Sequence, residues 1–529
     1  MVIIKPMIAK PDPNLLTTVL LAAMLASGAQ AVWAADCNAC HPNEVAQWSG
    51  SPHANTQLDV ATELSQSHPG ETPAGVILGE DCIACHAPTA VQANGKMSEG
   101  DALGYFFTTT NGQFSADTSA TNTSAWPHVG CAACHSVPTN HPIAPASLAL
   151  FDSQTAHYVH VASVSELCGQ CHGTLHFSDT DHQVYDAWLC SKHAHTQADV
   201  ARELSNSHPG EDPWSVTAGE NCIACHAPTA VLGTGGDEAT ALDYFFTSTN
   251  GVFTTNTVSA HGDEWPGVGC ATCHNPHDPS SLSYFNSGTF QYEVMTNSAQ
   301  LCGQCHGNLR FPDTDHLSYN INAGTGGIGV PAEQWMPGVG CADCHMYASN
   351  VDGSNSKKYR GHTWAITVPE DGGASTVSCQ VCHPGANELN VNWVKATTQG
   401  QFQSLDATAG ASVARAAAAL QNTQDTNWLA TLAEAQHNLI YAESDESGGF
   451  HNFAYLMALL NDANAKALSF PILDTLVQGS NVVISWTGAG TLQAADSITG
   501  PWHDVSGATN PLVLAPSATV RQQYYRLRP

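Results

Sequence analysis

Nine times along this chain two cysteines stand three residues apart with a histidine directly after the second, and no other feature constrains the polypeptide so tightly. The pentapeptides are CNACH (Cys37, Cys40, His41), CIACH (Cys82, Cys85, His86), CAACH (Cys131, Cys134, His135), CGQCH (Cys168, Cys171, His172) and CIACH (Cys222, Cys225, His226). They continue as CATCH (Cys270, Cys273, His274), CGQCH (Cys302, Cys305, His306), CADCH (Cys341, Cys344, His345) and CQVCH (Cys379, Cys382, His383). At the Cys and His frequencies of this chain, chance gives roughly 0.03 such pentapeptides. A disulfide framework, a zinc cluster or a thioredoxin-like pair has no need of His after every second Cys. The pattern is that of c-type haem attachment, in which two thiols become thioethers to the porphyrin edge and the histidine binds iron as proximal ligand. The expected cofactors are nine covalently bound c-type haems.

Cys37 to His383 leaves about 39 residues per motif, too few to enclose each haem in its own core. The macrocycles must then lie near one another, which is what electron hopping requires. An apolar share of 43% supports globular cores. The net charge of −31, from 15 basic and 46 acidic residues, excludes a nucleic-acid partner. Propionates would add about −18 more, so redox partner proteins are expected to meet the chain through basic patches or salt-sensitive contacts. Residues 1–35 read as an export signal: Lys5 and Lys10, an apolar run from Leu15 to Ala29, and small-residue cleavage at Val32-Trp33-Ala34. No other stretch reaches the roughly 18 apolar residues of a membrane helix, so the expected mature chain has no transmembrane segment and is periplasmic or extracellular.

The chain also repeats itself. HANTQLDVATELSQSHPGETP from His53 returns 140 residues later as HAHTQADVARELSNSHPGEDP from His193. CIACHAPTAV recurs, YFFTTTNG matches YFFTSTNG, WPHVGC matches WPGVGC, and LCGQCHGTLHFSDTDH matches LCGQCHGNLRFPDTDH. A shorter third copy starts near Cys302, where the run from Trp335 to Cys341 echoes the approach to the third and sixth motifs. An electron-transfer haem wants a second axial ligand, most simply another His. The repeat selects His53 and His193, each five residues after a Trp; His68 and His208, which open a His-Pro-Gly turn; and His182 and His316, each ten residues after a proximal His. His141 and His277 correspond if a three-residue gap is allowed. A surface or capping histidine is the alternative at each position.

At motif level the chain from about Asp36 to Ala467 resembles the multi-haem cytochrome superfamily of cytochrome c554, the ammonia-forming nitrite reductases, octahaem tetrathionate reductase and hydroxylamine oxidoreductase. WSGSPHA and WLCSKHA resemble the distal-His segment of the c554-like members. GCADCHMYASN followed by GHTW resembles the family's Cys-His-Met segment and its downstream distal ligand, implying His362. ESGGFHNFAYLMALLNDA resembles a helix start carrying another, implying His451. With these, ten candidates stand for nine places. The resemblance implies a mainly α fold with long irregular haem-wrapping loops and stacked haems, serving as electron relay or as reductase of nitrogen or sulfur compounds. The CxxCK site of the ammonia-forming nitrite reductases is absent, which argues against that activity.

No catalytic residue is legible. If one iron were open, Lys192, where the first copy has Pro52, and Arg310, where it has His176, are the cations singled out to face a bound oxyanion, a solvated charge being the commoner explanation for each. Cys190 is the one cysteine outside the motifs, expected to be a buried free thiol, with an iron ligand or an intermolecular disulfide as the alternatives. Residues 402–467 predict helices, with Asp425 or Thr426 capping a face of Trp428, Leu432, Ala435 and Leu439, and a second helix from Phe450 to Leu460 opened by His451. From about Phe470 short β-prone runs at Val482–Trp486, Thr491–Ala494, Leu512–Leu514 and Tyr524–Leu527 predict a small β-sandwich-like domain. The expected organisation is signal 1–35, haem repeat A 36–185, haem repeat B 186–320, two further haems in 321–400, a helical segment 401–468 and a β domain 469–529. Three functions remain open: electron transfer through bis-His haems, a reductase or oxidase of nitrite, hydroxylamine or tetrathionate at one open haem, and self-association into an extracellular cytochrome filament delivering to an extracellular acceptor.

Overall fold

The computed structural model describes residues 37–528, apart from most of 73–81, 93–97, 118–125, 139–145, 214–221, 257–264, 347–360, 365–376, 422–424, 516–521 and a few single positions. The export signal and Trp335 lie outside the described residues. Two compact units divide after Val294, inside the stretch read from sequence as repeat B.

In the first unit each sequence copy builds the same elements. Copy one runs α1 (Pro42–Ser49), α2 (Thr56–Ser67), α3 (Glu99–Phe106), hairpin β1 (Phe107–Thr110) and β2 (Gln113–Ala116), then β3 (Ser147–Asp152) and β4 (His157–His160). Copy two runs α4 (Val184–Leu189), α5 (Gln197–Ser207), α6 (Glu238–Phe245), β5 (Phe246–Thr249), β6 (Val252–Thr255), β7 (Asp278–Asn286) and β8 (Gln291–Val294). In α2 the apolar residues Val60, Ala61 and Leu64 sit at helical spacing and are buried, while Thr62 and Glu63 face out. They pack with Ile83, Phe106, Phe107, Phe114 and Trp126. Val200, Leu204, Ile223, Phe245, Phe246 and Phe253 repeat this core in copy two, with Trp265 against it.

The hairpins correct the expectation of helices joined only by irregular loops. Asn111-Gly112 and Asn250-Gly251 turn β1 into β2 and β5 into β6 with φ of 54° and 76°, and 54° and 78°. Both residues of each pair have positive φ, as two-residue hairpin turns demand. Gly251 also lies against the His-Pro-Gly turn, where an added Cβ would meet the Gly210 nitrogen at 2.5 Å. Further small antiparallel sheets join β3 to β4 and β7 to β8.

The second unit centres on three helices, α7 (Glu388–Leu420), α8 (Thr426–Glu443) and α9 (Phe453–Ser469). Leu432, Ala435 and Leu439 are buried among Phe402, Val413, Leu456, Leu459 and Leu460, with Trp428 packed against them, so the face read from sequence is the packing face. Asp425 caps α8, accepting from the amides of Asn427 and Trp428 at 2.9 and 3.2 Å. Two boundaries differ from expectation. Helix α7 starts at Glu388, through the boundary placed at residue 400, because Asn387 and Asn390 form a capping box. Helix α9 starts at Phe453 rather than Phe450: Asn452 caps it through the Tyr455 amide, and Ser447 Oγ accepts from the amides of Phe450 and His451. His451 therefore stands in the turn before the helix.

Beyond α9 lie two three-stranded antiparallel sheets. One orders β9 (Leu473–Gln478), β10 (Asn481–Trp486) and β13 (Leu512–Leu514); the other orders β12 (His503–Asp504), β11 (Thr491–Ala495) and β14 (Tyr524–Arg528). The four runs read from sequence are strands here, and β9 and β12 add to them. No helix among the described residues is long and apolar enough to cross a membrane.

Candidate haem-binding site

Each motif is a short helical turn. The amide of His41 donates to the Cys37 carbonyl at 2.8 Å, and His172, His306 and His383 close the same turn on Cys168, Cys302 and Cys379 at 2.7, 2.8 and 2.8 Å. A turn of helix puts residues three apart on one face, which brings both thiols to one side with the imidazole beside them. In the third and sixth motifs the helix stops at the second Cys, and His135 and His274 begin strands paired to β3 and β7. No disulfide joins any of the nineteen cysteines.

The scaffold around the second and fifth motifs is built from residues the sequence reading passed over. Thr56 Oγ1 donates to the His86 carbonyl at 2.6 Å and accepts from the Trp126 indole at 2.9 Å. Thr196, His226 and Trp265 repeat this at 2.6 and 3.0 Å. Glu99 accepts from the Ile83 and Ala84 amides at 2.6 and 3.3 Å, and Glu238 from the Ile223 amide at 2.5 Å. Each carboxylate caps the open N-terminus of a CIACH turn. Burial pushes Glu238 up to about 7, against the lowering by the Ile223 and Ala224 amides. The signal was present, since Thr and Glu hold matching places in both copies. The Trp before each distal candidate also ties the backbone together, for the Trp48 and Trp188 indoles donate to the Val129 and Val268 carbonyls at 2.8 and 2.9 Å. The Val129 and Val268 amides in turn donate to the His53 and His193 carbonyls at 3.0 and 2.8 Å.

The distal candidates fall into distinct environments. His41 and His141 rings lie 6.1 Å apart, His135 and His277 6.4 Å, His53 and His172 6.2 Å, His172 and His182 6.2 Å, His306 and His316 6.4 Å, and His345 and His451 6.1 Å. Metal–imidazole bonds of about 2.0–2.1 Å, doubled and extended by about 1.2 Å from nitrogen to ring centre on each side, give roughly 6.5 Å for two imidazoles sharing one metal. The donor set and its spacing fit haem iron. His277 of copy two faces His135 of copy one, whereas His141 faces His41 within its own copy. His68 and His208 sit at the C-caps of α2 and α5, with Nδ1 toward Glu71 and Glu211 at 3.4 and 3.5 Å. His362 packs its ring on Trp364 at 5.5 Å. Arg310 lies over its neighbour Phe311, and Cys190 is exposed rather than buried.

Motifs also touch one another through their thiols. Cys131 lies beside Cys37, Cys171 beside Cys85, Cys168 beside Cys270, and Cys341 beside Cys302. Burial holds Cys131 and Cys134 at about 11 and Cys273 at about 12. Burial favours the neutral form, the one that binds a metal, at several imidazoles. Burial, then the charges of His53, His182, His86 and His274, push His172 down to about 4. Burial lowers His53, His86, His135, His277 and His345 too. His451 is raised: burial opposes its charge, but the hydrogen bond and charge of Asp445 outweigh it.

Nine attachment motifs on helical turns, with imidazoles paired at metal-sharing distance, define a multi-haem c-type cytochrome, and the chain belongs to that class. Residues 36–103 match the family model of cytochrome c554 and c-prime, and residues 331–478 that of cytochrome c552. No curated protein matches the chain. Among solved structures, the outer cell wall cytochrome OcwA is 19% identical with a TM-score of 0.42, covering 82% of this chain and 98% of its own. The undecahaem cytochrome from the S-layer of Carboxydothermus ferrireducens is 16% identical with a TM-score of 0.40, covering 88% of this chain and 74% of its own. The cytochrome c nitrite reductase of Desulfovibrio desulfuricans is 18% identical with a TM-score of 0.33, covering 52% of this chain and 69% of its own.

Proposed function

We propose that this chain is an exported nonahaem cytochrome that moves electrons along closely packed, mostly bis-His haems between redox partners outside the cytoplasm. The observation that carries the reading is the set of six imidazole pairs separated by 6.1–6.4 Å, each containing a motif histidine. Haem supplies a one-electron Fe(III)/Fe(II) couple. Two axial imidazoles leave no site for a substrate, so an iron so held relays charge and does not bind a reactant.

Because one iron takes two axial ligands, His172 can use only one of its two neighbours. Both His53 and His182 also lie near His86, so these two histidines would be shared between the second and fourth motifs. His141 then serves the first, His277 the third and His451 the eighth. The cysteine contacts support neighbouring positions for motifs one and three, two and four, and four and six in the first unit, and for seven and eight in the second. Of the eighteen motif cysteines, Cys40 and Cys382 are the two exposed, which supports the first and last motifs as the places where partners exchange charge. The test is the intact mass of the purified protein: nine haems per processed chain are expected, and the bare polypeptide mass would end the reading.

A further inference from the structure

The turn before α9 holds a carboxylate that the relay does not explain. Asp445 is 2% exposed, and its Oδ1 lies 2.6 Å from His451 Nδ1. Its Oδ2 accepts from the Ser447 hydroxyl, and its carbonyl accepts from Ser318 at 3.2 Å. Across the ring pair, His345 Nδ1 donates to the Trp364 carbonyl at 2.9 Å. Both imidazoles thus have Nδ1 engaged and Nε2 left for a metal, but one rests on a neutral carbonyl and the other on a buried anion. A charge-assisted bond of this length is markedly stronger than a neutral one, and such partners tune the basicity of a metal-bound histidine.

We propose that Asp445 is a positioning residue that lowers the reduction potential of the eighth-motif haem by accepting a hydrogen bond from the Nδ1–H of His451 and giving that imidazole partial imidazolate character. The inference rests on reading His451 as an axial ligand. A more electron-rich imidazole stabilises the ferric over the ferrous iron, and the fixed negative charge opposes arrival of the electron. No atom is transferred: one electron enters or leaves, and the Nδ1 proton stays in the hydrogen bond. This haem would then be the hard-to-reduce step beside the seventh motif, which its Cys341 touches through Cys302. Ser447 tempers the effect by donating to the other carboxylate oxygen.

The test is spectroelectrochemical titration with EPR of the whole haem-loaded protein, comparing wild type with Asp445→Asn, Ser447→Ala and His451→Ala. Asp445→Asn keeps the shape and removes the charge; its expected result is one haem whose preference for the ferric state falls at least tenfold, an upward shift of about 59 mV per tenfold, together with a change in one low-spin EPR signal. Ser447→Ala concentrates the carboxylate charge and should move the same haem the opposite way, and it carries the test if Asp445→Asn fails to take up haem. Unchanged potentials and signals in either variant, or shifts of the same sign in both, overturn the inference. If His451→Ala leaves every iron low-spin, the ligand reading itself fails. If His451→Ala turns one iron high-spin while Asp445→Asn changes nothing, only the role of Asp445 fails.

Discussion

Replacing Thr56 by valine tests how the fold holds the second motif. The Thr56 side chain is buried, donates to the His86 carbonyl at 2.6 Å and accepts from the Trp126 indole at 2.9 Å. Valine keeps the shape but leaves a buried carbonyl and a buried indole N–H without this partner. Each such loss costs about 1–3 kcal/mol, so Thr56→Val should destabilise the first unit by about 2–4 kcal/mol, allowing for relaxation. Because the lost acceptor is the backbone of the proximal histidine itself, the low-spin EPR signal of one haem should broaden. Thr196→Val, in the second copy, should do the same through His226 and Trp265. The assay is the denaturant midpoint of each variant, with a double-mutant cycle against Trp126→Phe. A coupling energy of about 0.5–3 kcal/mol is expected for residues in one such network. A Thr56→Val protein as stable as wild type, or additive Thr56 and Trp126 changes, would refute the bridging role.

Four further outcomes follow from other contacts. His277→Ala should convert one iron to high spin and leave the rest untouched, because His277 faces His135 from the other copy at 6.4 Å; ferric EPR reads this directly. Glu238, raised from 4.5 to about 7 by burial, binds its proton more tightly folded than unfolded. Its contribution is therefore fully present below pH 4.5 and lost as pH rises through about 7, up to about 3 kcal/mol at 1.36 kcal/mol per unit. Glu238→Gln should flatten that part of the stability–pH curve. Gly251→Ala should cost more than about 1 kcal/mol, since φ is 78° and its Cβ would lie 2.5 Å from the Gly210 nitrogen; a chemical melt checks it. Leu456→Ala, fully buried between the helices of the second unit, should cost about 2–5 kcal/mol by the same measurement.

What could be read from sequence was what is local. Two thiols and a histidine within five residues carry their chemistry wherever the fold places them, so the motifs were legible one by one. The distal partners were not, because a ligand contact is tertiary. His141 and His277 aligned only across a gap, and the structure gives them different neighbours, one ring facing His41 of its own copy and the other His135 of the neighbouring copy. His68 and His208 recur in both copies for a reason that includes helix termination: they sit where α2 and α5 stop, over the glycine turn that supports each hairpin. The hairpins were legible and missed, since Thr-Asn-Gly between aromatic and β-branched residues is a strong turn signal. Glu99 and Glu238 carried a weaker signal, a matched acid in each copy, whose meaning depends on a motif helix 15 or more residues away in sequence. Residues 388–401 were passed over because Asn, Thr and Gly dilute their helical pattern. The start of α9 slipped by three residues because the cap belongs to Asn452 rather than to the histidine beside it.

The most direct test is the Mössbauer spectrum of the oxidised, iron-57-enriched protein, which counts spin states across all sites at once. A relay built on paired histidines predicts low-spin ferric iron at every motif. A high-spin fraction near one iron in nine that shifts on adding nitrite or hydroxylamine would contradict it and make one of these haems a site of chemistry.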